Sequence, residues 1–136
     1  MPSPAFLGID IGTTGIRASI IDQHKREILS DRIGFEASTT VDGKNEQSAD
    51  SWSEYLDQLL VSLFSRVKTL SPVISIRAIA IDGTSGSVLA ARRDGTALSP
   101  ALMYNDQQSQ QQAQLIKQSA PADSAVHGDS SSLAKA

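Results

Sequence analysis

Asp10-Ile11-Gly12-Thr13-Thr14-Gly15-Ile16-Arg17 is the stretch from which the fold of this chain can be read. Before it, Phe6, Leu7, Ile9 and Ile11 form an apolar run, so Ala5 to Ile11 is expected as a buried strand. After it, Ile16, Ala18 and Ile20 alternate with Arg17, Ser19 and Ile21, the period of a second strand. The Gly/Thr turn between them exposes backbone N–H groups and hydroxyls without side-chain bulk. Consecutive amides of this kind make a concave, partly positive nest that suits a polyphosphate. A carboxylate at its rim, Asp10, suits a hydrated Mg²⁺. The same residues also make a plain hairpin turn, and composition alone leaves both readings open.

Working outward, Asp22-Gln23-His24-Lys25-Arg26 is a polar turn and Glu27 to Phe35 a weaker third strand, which completes an antiparallel meander. Glu36 to Ala49 reads as a polar loop. A helix is expected from Asp50 or Ser51, where Ser51-Trp52-Ser53-Glu54 has capping-box spacing. Trp52, Tyr55, Leu56, Leu59, Leu60, Leu63, Phe64 and Val67 recur at three and four residues, an amphipathic stripe for packing on the sheet. Pro72 stops the helix. Ile74 to Ile81 is then nearly all apolar and ends at Asp82, as expected for a strand buried on both faces and parallel to its neighbour. A second small-residue turn follows, Gly83-Thr84-Ser85-Gly86-Ser87, with strand character resuming over Val88 to Ala91 and apolar residues again at Ala101-Leu102-Met103-Tyr104. Asn105-Asp106 can cap a glutamine-rich helix over about Gln107 to Gln118. Gly128 to Lys135 reads as the start of a further helix with a Ser or Asp cap, and the chain as truncated within it.

The composition narrows the functional classes. With 136 residues, 40% hydrophobic, one packed domain or part of a larger one is feasible. A net charge of −3 argues against a nucleic-acid surface. The absence of cysteine removes disulfides, thiolate metal sites and Cys nucleophiles. No apolar run reaches membrane-span length and the N-terminus lacks a secretory pattern, so a cytoplasmic protein is expected. His24 and His127 stand far apart, which disfavours a metal site or a Ser-His triad. No Gly-Lys-Ser/Thr element is present, so the phosphate nest is not a P-loop.

Two strand ends thus carry an aspartate before a small-residue turn. If those strands are neighbours, both turns face one crevice, where ligands of open α/β sheets gather. The first block resembles the phosphate motif of the sugar kinase/heat-shock/actin superfamily. Ile81-Asp82-Gly83-Thr84-Ser85-Gly86-Ser87-Val88-Leu89, Leu102-Met103-Tyr104-Asn105-Asp106 and Glu46-Gln47 before Trp52 resemble the FGGY carbohydrate kinases, in the ribulokinase and xylulokinase-like branch. The resemblance spans nearly the whole chain.

It implies an α/β, ribonuclease-H-like lobe of the actin-like ATPase superfamily: an antiparallel meander, a parallel strand and helices. Residues 1–136 would be the incomplete N-terminal part of the first lobe, with the second, ATP-binding lobe outside the chain. It implies transfer of the ATP γ-phosphate to a sugar or polyol hydroxyl, with a pentulose such as ribulose or xylulose as acceptor. Gly12, Thr13, Thr14 and Arg17 would serve ATP, and Asp10 would hold Mg²⁺ through water. Asp82, Thr84, Ser85, Asn105 and Asp106 would serve the sugar. The catalytic base of the family, an aspartate, would lie downstream, so none of these residues is assigned that role and the isolated chain is expected to be inactive. Many relatives carry arginine where this chain has Gln108, which weakens inference about the sugar. A non-catalytic nucleotide- or sugar-binding module is the alternative. Apolar sheet surface left uncovered in a half-built lobe would favour self-association into a homo-oligomer.

Overall fold

The computed structural model describes residues 1–128 and 131–136, which fall into two compact units. One comprises Met1–Ala37 with Ser51–Thr84, the other Ser38–Asp50 with Ser85–Ala136.

The first unit is built on a four-stranded sheet of order β3-β2-β1-β5. Strands β1 (Ser3–Ile11), β2 (Gly15–Asp22) and β3 (Glu27–Gly34) form the expected meander, antiparallel at both junctions. Strand β5 (Ile74–Gly83) returns through helix α1 (Ala49–Val67) and lies parallel to β1. The alternation along β1 and β2 sends Ala5, Leu7, Ile9, Ile16, Ala18 and Ile20 to one face, where all are buried. Against them α1 presses Leu59 and Leu63, flanked by Tyr55, Leu56, Leu60, Phe64 and Val67. Phe35 stacks on Tyr55 with ring centroids 5.1 Å apart, closing the end of this core.

The opposite sheet face is open: Phe6, Gly8, Asp10 and Arg17 are exposed. Strand β5 departs from its expected double burial. It is parallel, as the apolar run suggests, but Ile79 and Ile81 are 59% and 64% exposed. Hydrophobic content predicted burial, whereas the strand lies at the sheet edge and α1 does not reach that far along it. Helix α1 begins at Ala49, so Ser51 falls inside the first turn rather than at the cap.

The second unit holds shorter elements. The loop expected over residues 36–49 contains a tight turn at Val41–Lys44, with Asp42 and Gly43 at positive φ. It also contains strand β4 (Glu46–Gln47), paired antiparallel with β6 (Ala101–Leu102). Val88 and Ala91 make isolated bridges to Leu102 and Ala97 instead of the expected strand. Helix α2 runs over Gln110–Ser119 with Ser109 at its N-cap, so Asn105-Asp106 stands in a separate turn before it. A 3-10 turn, Ala125–His127, precedes α3 (Ser131–Lys135); the Ser or Asp cap expected at 129–130 lies outside the described residues.

Gly15 shows why the first turn is so small. A Cβ there would stand 2.6 Å from the Ile33 carbonyl oxygen across the β2–β3 ladder, closer than two such atoms can approach. Gly15→Ala is therefore expected to destabilise the chain by about 1–3 kcal/mol, the usual range for forced overpacking. Urea unfolding measures the loss, and an unchanged midpoint would contradict the close approach.

Candidate functional site

Strand register places the charged residues of the open face. Arg17 pairs with Arg32 and with Asp10, and Asp10 pairs with Asp82 on the parallel neighbour. Directly paired residues project to the same side of a sheet, so Arg32, Arg17, Asp10 and Asp82 form one row. Among the described residues no ion pair joins Asp10, Asp82 and Arg17. Asp10, Arg17 and Asp82 share an open cleft of about 400 Å³ with Gly8, Ser19 and Ala80.

The strands are neighbours, so their two ends meet. The Gly12 amide donates to the Gly15 carbonyl at 2.9 Å, so the first turn closes as a hairpin and one amide of the nest is used internally. The Thr84 amide donates to the Ile11 carbonyl at 3.2 Å, tying the end of β5 to the end of β1. Asp82 accepts from the amide of Gly83 at 2.8 Å, which orients its carboxylate at the strand end. Thr14 is exposed at the hairpin tip, and Gly12 and Thr13 are half-buried.

The fit to a divalent cation can be judged from these donors. Carboxylates directly opposite one another on adjacent strands repel, and a cation between Asp10 and Asp82 would relieve that. Among the described residues there is no cluster of three or more His, Asp or Glu side chains able to cage a metal. Mg²⁺ suits such a sparse site, because it keeps several waters and uses one or two carboxylates with substrate phosphates.

In the second unit Asn105 and Asp106 line a different cavity, of about 260 Å³, with Tyr104, Ser109, Gln110 and Lys135. The two members of the pair differ sharply. Asn105 is exposed, whereas Asp106 is only 5% exposed. The Asp106 carboxylate accepts from the Asn45 amide at 2.7 Å, the Gln108 amide at 3.0 Å and the Gln108 side-chain amide at 2.9 Å. Gln108 also donates to Glu46 at 3.1 Å, and Glu46 pairs with Lys44. Asn45, itself buried, donates from its side chain to Thr40 at 2.9 Å and meets Ser38 through its side-chain oxygen. Ser85 lies exposed in the turn that begins this unit's longer segment.

The expected site residues are thus sorted into two sets. Asp10, Arg17 and Asp82 come together on the first unit's open face, with Gly12, Thr13, Thr14 and Thr84 at the adjoining strand ends. Ser85, Asn105 and Asp106 belong to the second unit. Sequence reasoning missed the anchoring of Asp106 on Asn45, a partner 61 residues away that no local pattern signals. It also missed Lys135, whose ammonium donates to the carbonyls of Met103 and Tyr104 at 2.7 and 2.9 Å.

Residues 5–128 match the sequence model of the FGGY family of carbohydrate kinases, N-terminal domain. Among curated proteins, the chain is 24% identical over 110 residues to a xylulose kinase of Lactococcus lactis, covering 81% of this chain and 22% of that protein. It is 27% identical over 113 residues to a gluconokinase of Bacillus subtilis, covering 83% and 21%. Among solved structures, Plasmodium falciparum glycerol kinase with ADP superposes with a TM-score of 0.77 at 17% identity, over 88% of this chain and 24% of that one. A xylulose kinase of Rhodospirillum rubrum gives 0.75 at 17% identity, again over 88% and 24%. The chain therefore spans about a fifth to a quarter of the length of these relatives.

Burial disfavours the Asp106 carboxylate as an anion, but the hydrogen bonds from Asn45 and Gln108, with Lys135 nearby, outweigh it and hold its pKa below the ordinary 3.8. A carboxyl that binds its proton less readily when folded stabilises the fold above its unfolded pKa, and that share is lost as pH falls through the folded value. Stability should therefore decline as pH drops below about 3.8. Asp22, Glu27, Asp31 and Asp94 are shifted the same way and share in the decline. In Asp106→Asn the decline should be shallower, measured by urea midpoints across pH 2 to 6 (roughly the span over which carboxyls titrate). Identical acid limbs in the two proteins would contradict the assignment.

Proposed function

We infer the function from one premise: this chain belongs to the FGGY family of carbohydrate kinases, matched over residues 5–128. On that basis it supplies the N-terminal part of the first lobe of a kinase that phosphorylates a hydroxyl of a neutral sugar or polyol. The observation that carries the reading is the in-register parallel pairing of Asp10 with Asp82, which sets the two family motifs side by side at adjacent strand ends.

A pentulose such as ribulose or xylulose is the proposed acceptor, supported by the xylulose kinases among the relatives. ATP supplies the phosphoryl group, and Mg²⁺ neutralises charge on its oxygens. Asp10 would hold the hydrated cation, beside the carboxylate of Asp82. Gly12, Thr13 and Thr14 would offer backbone and hydroxyl donors to phosphate oxygens at the hairpin tip. Arg17, directly opposite Asp10, would orient that carboxylate or add positive charge toward phosphate. Asp82 and Thr84 of the first unit, and Ser85, Asn105 and Asp106 of the second, are the residues proposed to serve the sugar, by contact or by positioning. Hydroxyl and carboxamide groups can both donate to and accept from sugar hydroxyls, and carboxylates accept from them. The base that takes the hydroxyl proton is proposed to lie in the rest of the kinase. A cytoplasmic enzyme is the setting this reading implies. Among the described residues no helix is long and apolar enough to cross a membrane.

The test is turnover of D-ribulose, D-xylulose and glycerol with Mg-ATP by a kinase that carries this segment in full-length form. Phosphorylation of at least one acceptor is expected, with Asp10→Asn lowering kcat by about 100-fold or more through loss of the cation's carboxylate, the scale on which electrostatic stabilisation acts. The 136-residue chain alone should show negligible turnover. Saturable sugar binding without turnover in the full-length protein would instead identify a binding module.

A further inference from the structure

We propose a division of labour within the Asn105-Asp106 pair: Asn105 is the group that meets the sugar, and Asp106 is a positioning residue that acts through it. The inference rests on the carbohydrate-kinase reading for the identity of the ligand, and on this chain's own geometry for the roles.

Asp106 has little left to offer a ligand. An ionised carboxylate has roughly four acceptor positions, and at least three are filled by the Asn45 amide and the two Gln108 donors. The residue is also nearly sealed from solvent at 5% exposure. What it holds in place is the turn bearing Asn105. Asn45 is bonded to this turn from both sides, donating its amide to Asp106 and accepting from the Met103 amide at 3.0 Å. The Gln107 amide donates to the Gly43 carbonyl at 2.7 Å, which adds a third tie to the same loop.

Asn105 stands in contrast. It is exposed, it lines the 260 Å³ cavity with the half-exposed Tyr104, and among the described residues no hydrogen bond engages its side chain. A carboxamide presents a donor and an acceptor in one plane, matching a hydroxyl that must both give and take a hydrogen bond. The ligand class this selects is a neutral polyhydroxy compound with the adjacent aromatic face of Tyr104 available to its carbons. Lys135, also on this cavity, directs its ammonium to the carbonyls of Met103 and Tyr104, which stiffens the turn from the other end.

The experiment combines calorimetric titration with D-xylulose and D-ribulose and amide exchange at Asn45 and Met103. It uses the wild-type chain, Asn105→Ala, Asp106→Asn and the double variant. Asn105→Ala should leave exchange at both amides unchanged and weaken sugar binding about tenfold, the scale of a lost hydrogen bond. Asp106→Asn should speed exchange at both amides about tenfold and weaken sugar binding as well. The double variant should bind no worse than Asn105→Ala, because a residue that works only through Asn105 loses its effect once Asn105 is gone. If Asp106→Asn does not fold, Gln108→Ala, which removes one tie to Asp106, should give the same pattern more weakly. Unchanged exchange in Asp106→Asn overturns the positioning role. A double variant that binds clearly worse than Asn105→Ala assigns Asp106 direct contact and overturns the division. Absence of sugar heat from the wild-type chain overturns the part given to Asn105, while the exchange data still decide the part given to Asp106.

Discussion

The parallel ladder between β1 and β5 is the constraint on which the first unit depends. It runs from Ser3↔Ile74 to Ile11↔Gly83 with one irregularity, at Ala5/Phe6, where Arg77 is passed over. Parallel neighbours need a crossover of a dozen or more residues, and α1 supplies it while also covering one sheet face with Leu59 and Leu63. Because the strands run the same way in register, their carboxyl ends lie together. Asp10 and Asp82 therefore become partners, and the turns that follow them open from the same end of the sheet. A shift of one residue would send Asp82 to the other face, since side chains alternate with a period of two.

The same sheet has two unlike edges. On β3, Asp31 accepts from Ser62 at 2.8 Å and pairs with Arg66, which also donates to the Ser30 carbonyl at 3.0 Å, so α1 guards that edge with polar contacts. Along β5 the only charges are Arg77 and the terminal Asp82, and Ile79 and Ile81 lie bare beside the buried Leu7 and Ile9. Long apolar edges are ones that proteins ordinarily blunt or cover. The exposed isoleucines leave this edge of the sheet uncovered among the described residues.

In the second unit the buried side chains are Ala101 and Met103 together with the polar Asn45 and Asp106, among the described residues. Buried charge is costly unless hydrogen-bonded, and Asp106 meets that condition by drawing in the Asn45 amide and both donors of Gln108. Gln108 ties Asp106 to Glu46 without adding a positive charge. Lys44 pairs with Glu46, and Lys135 adds positive charge near Asp106.

Much of this fold is legible in the sequence. Alternation at Ala5 to Ile11 and Ile16 to Ile21, the leucine stripe of α1 and the two Asp-terminated turns gave the meander, the crossover and the parallel strand, because each rests on local periodicity or short turns. The family was legible for the same reason, since its motifs are contiguous. The remaining features depend on residues distant in sequence. Edge position, not composition, left Ile79 and Ile81 exposed. Likewise Asn105 and Asp106 look equivalent as neighbouring polar residues, and the Asn45 amide, brought from 61 residues away, joins Gln108 in holding one inward while the other stays exposed. Local pattern determines which elements form; burial and hydrogen bonding across the fold determine which side chains remain available for chemistry.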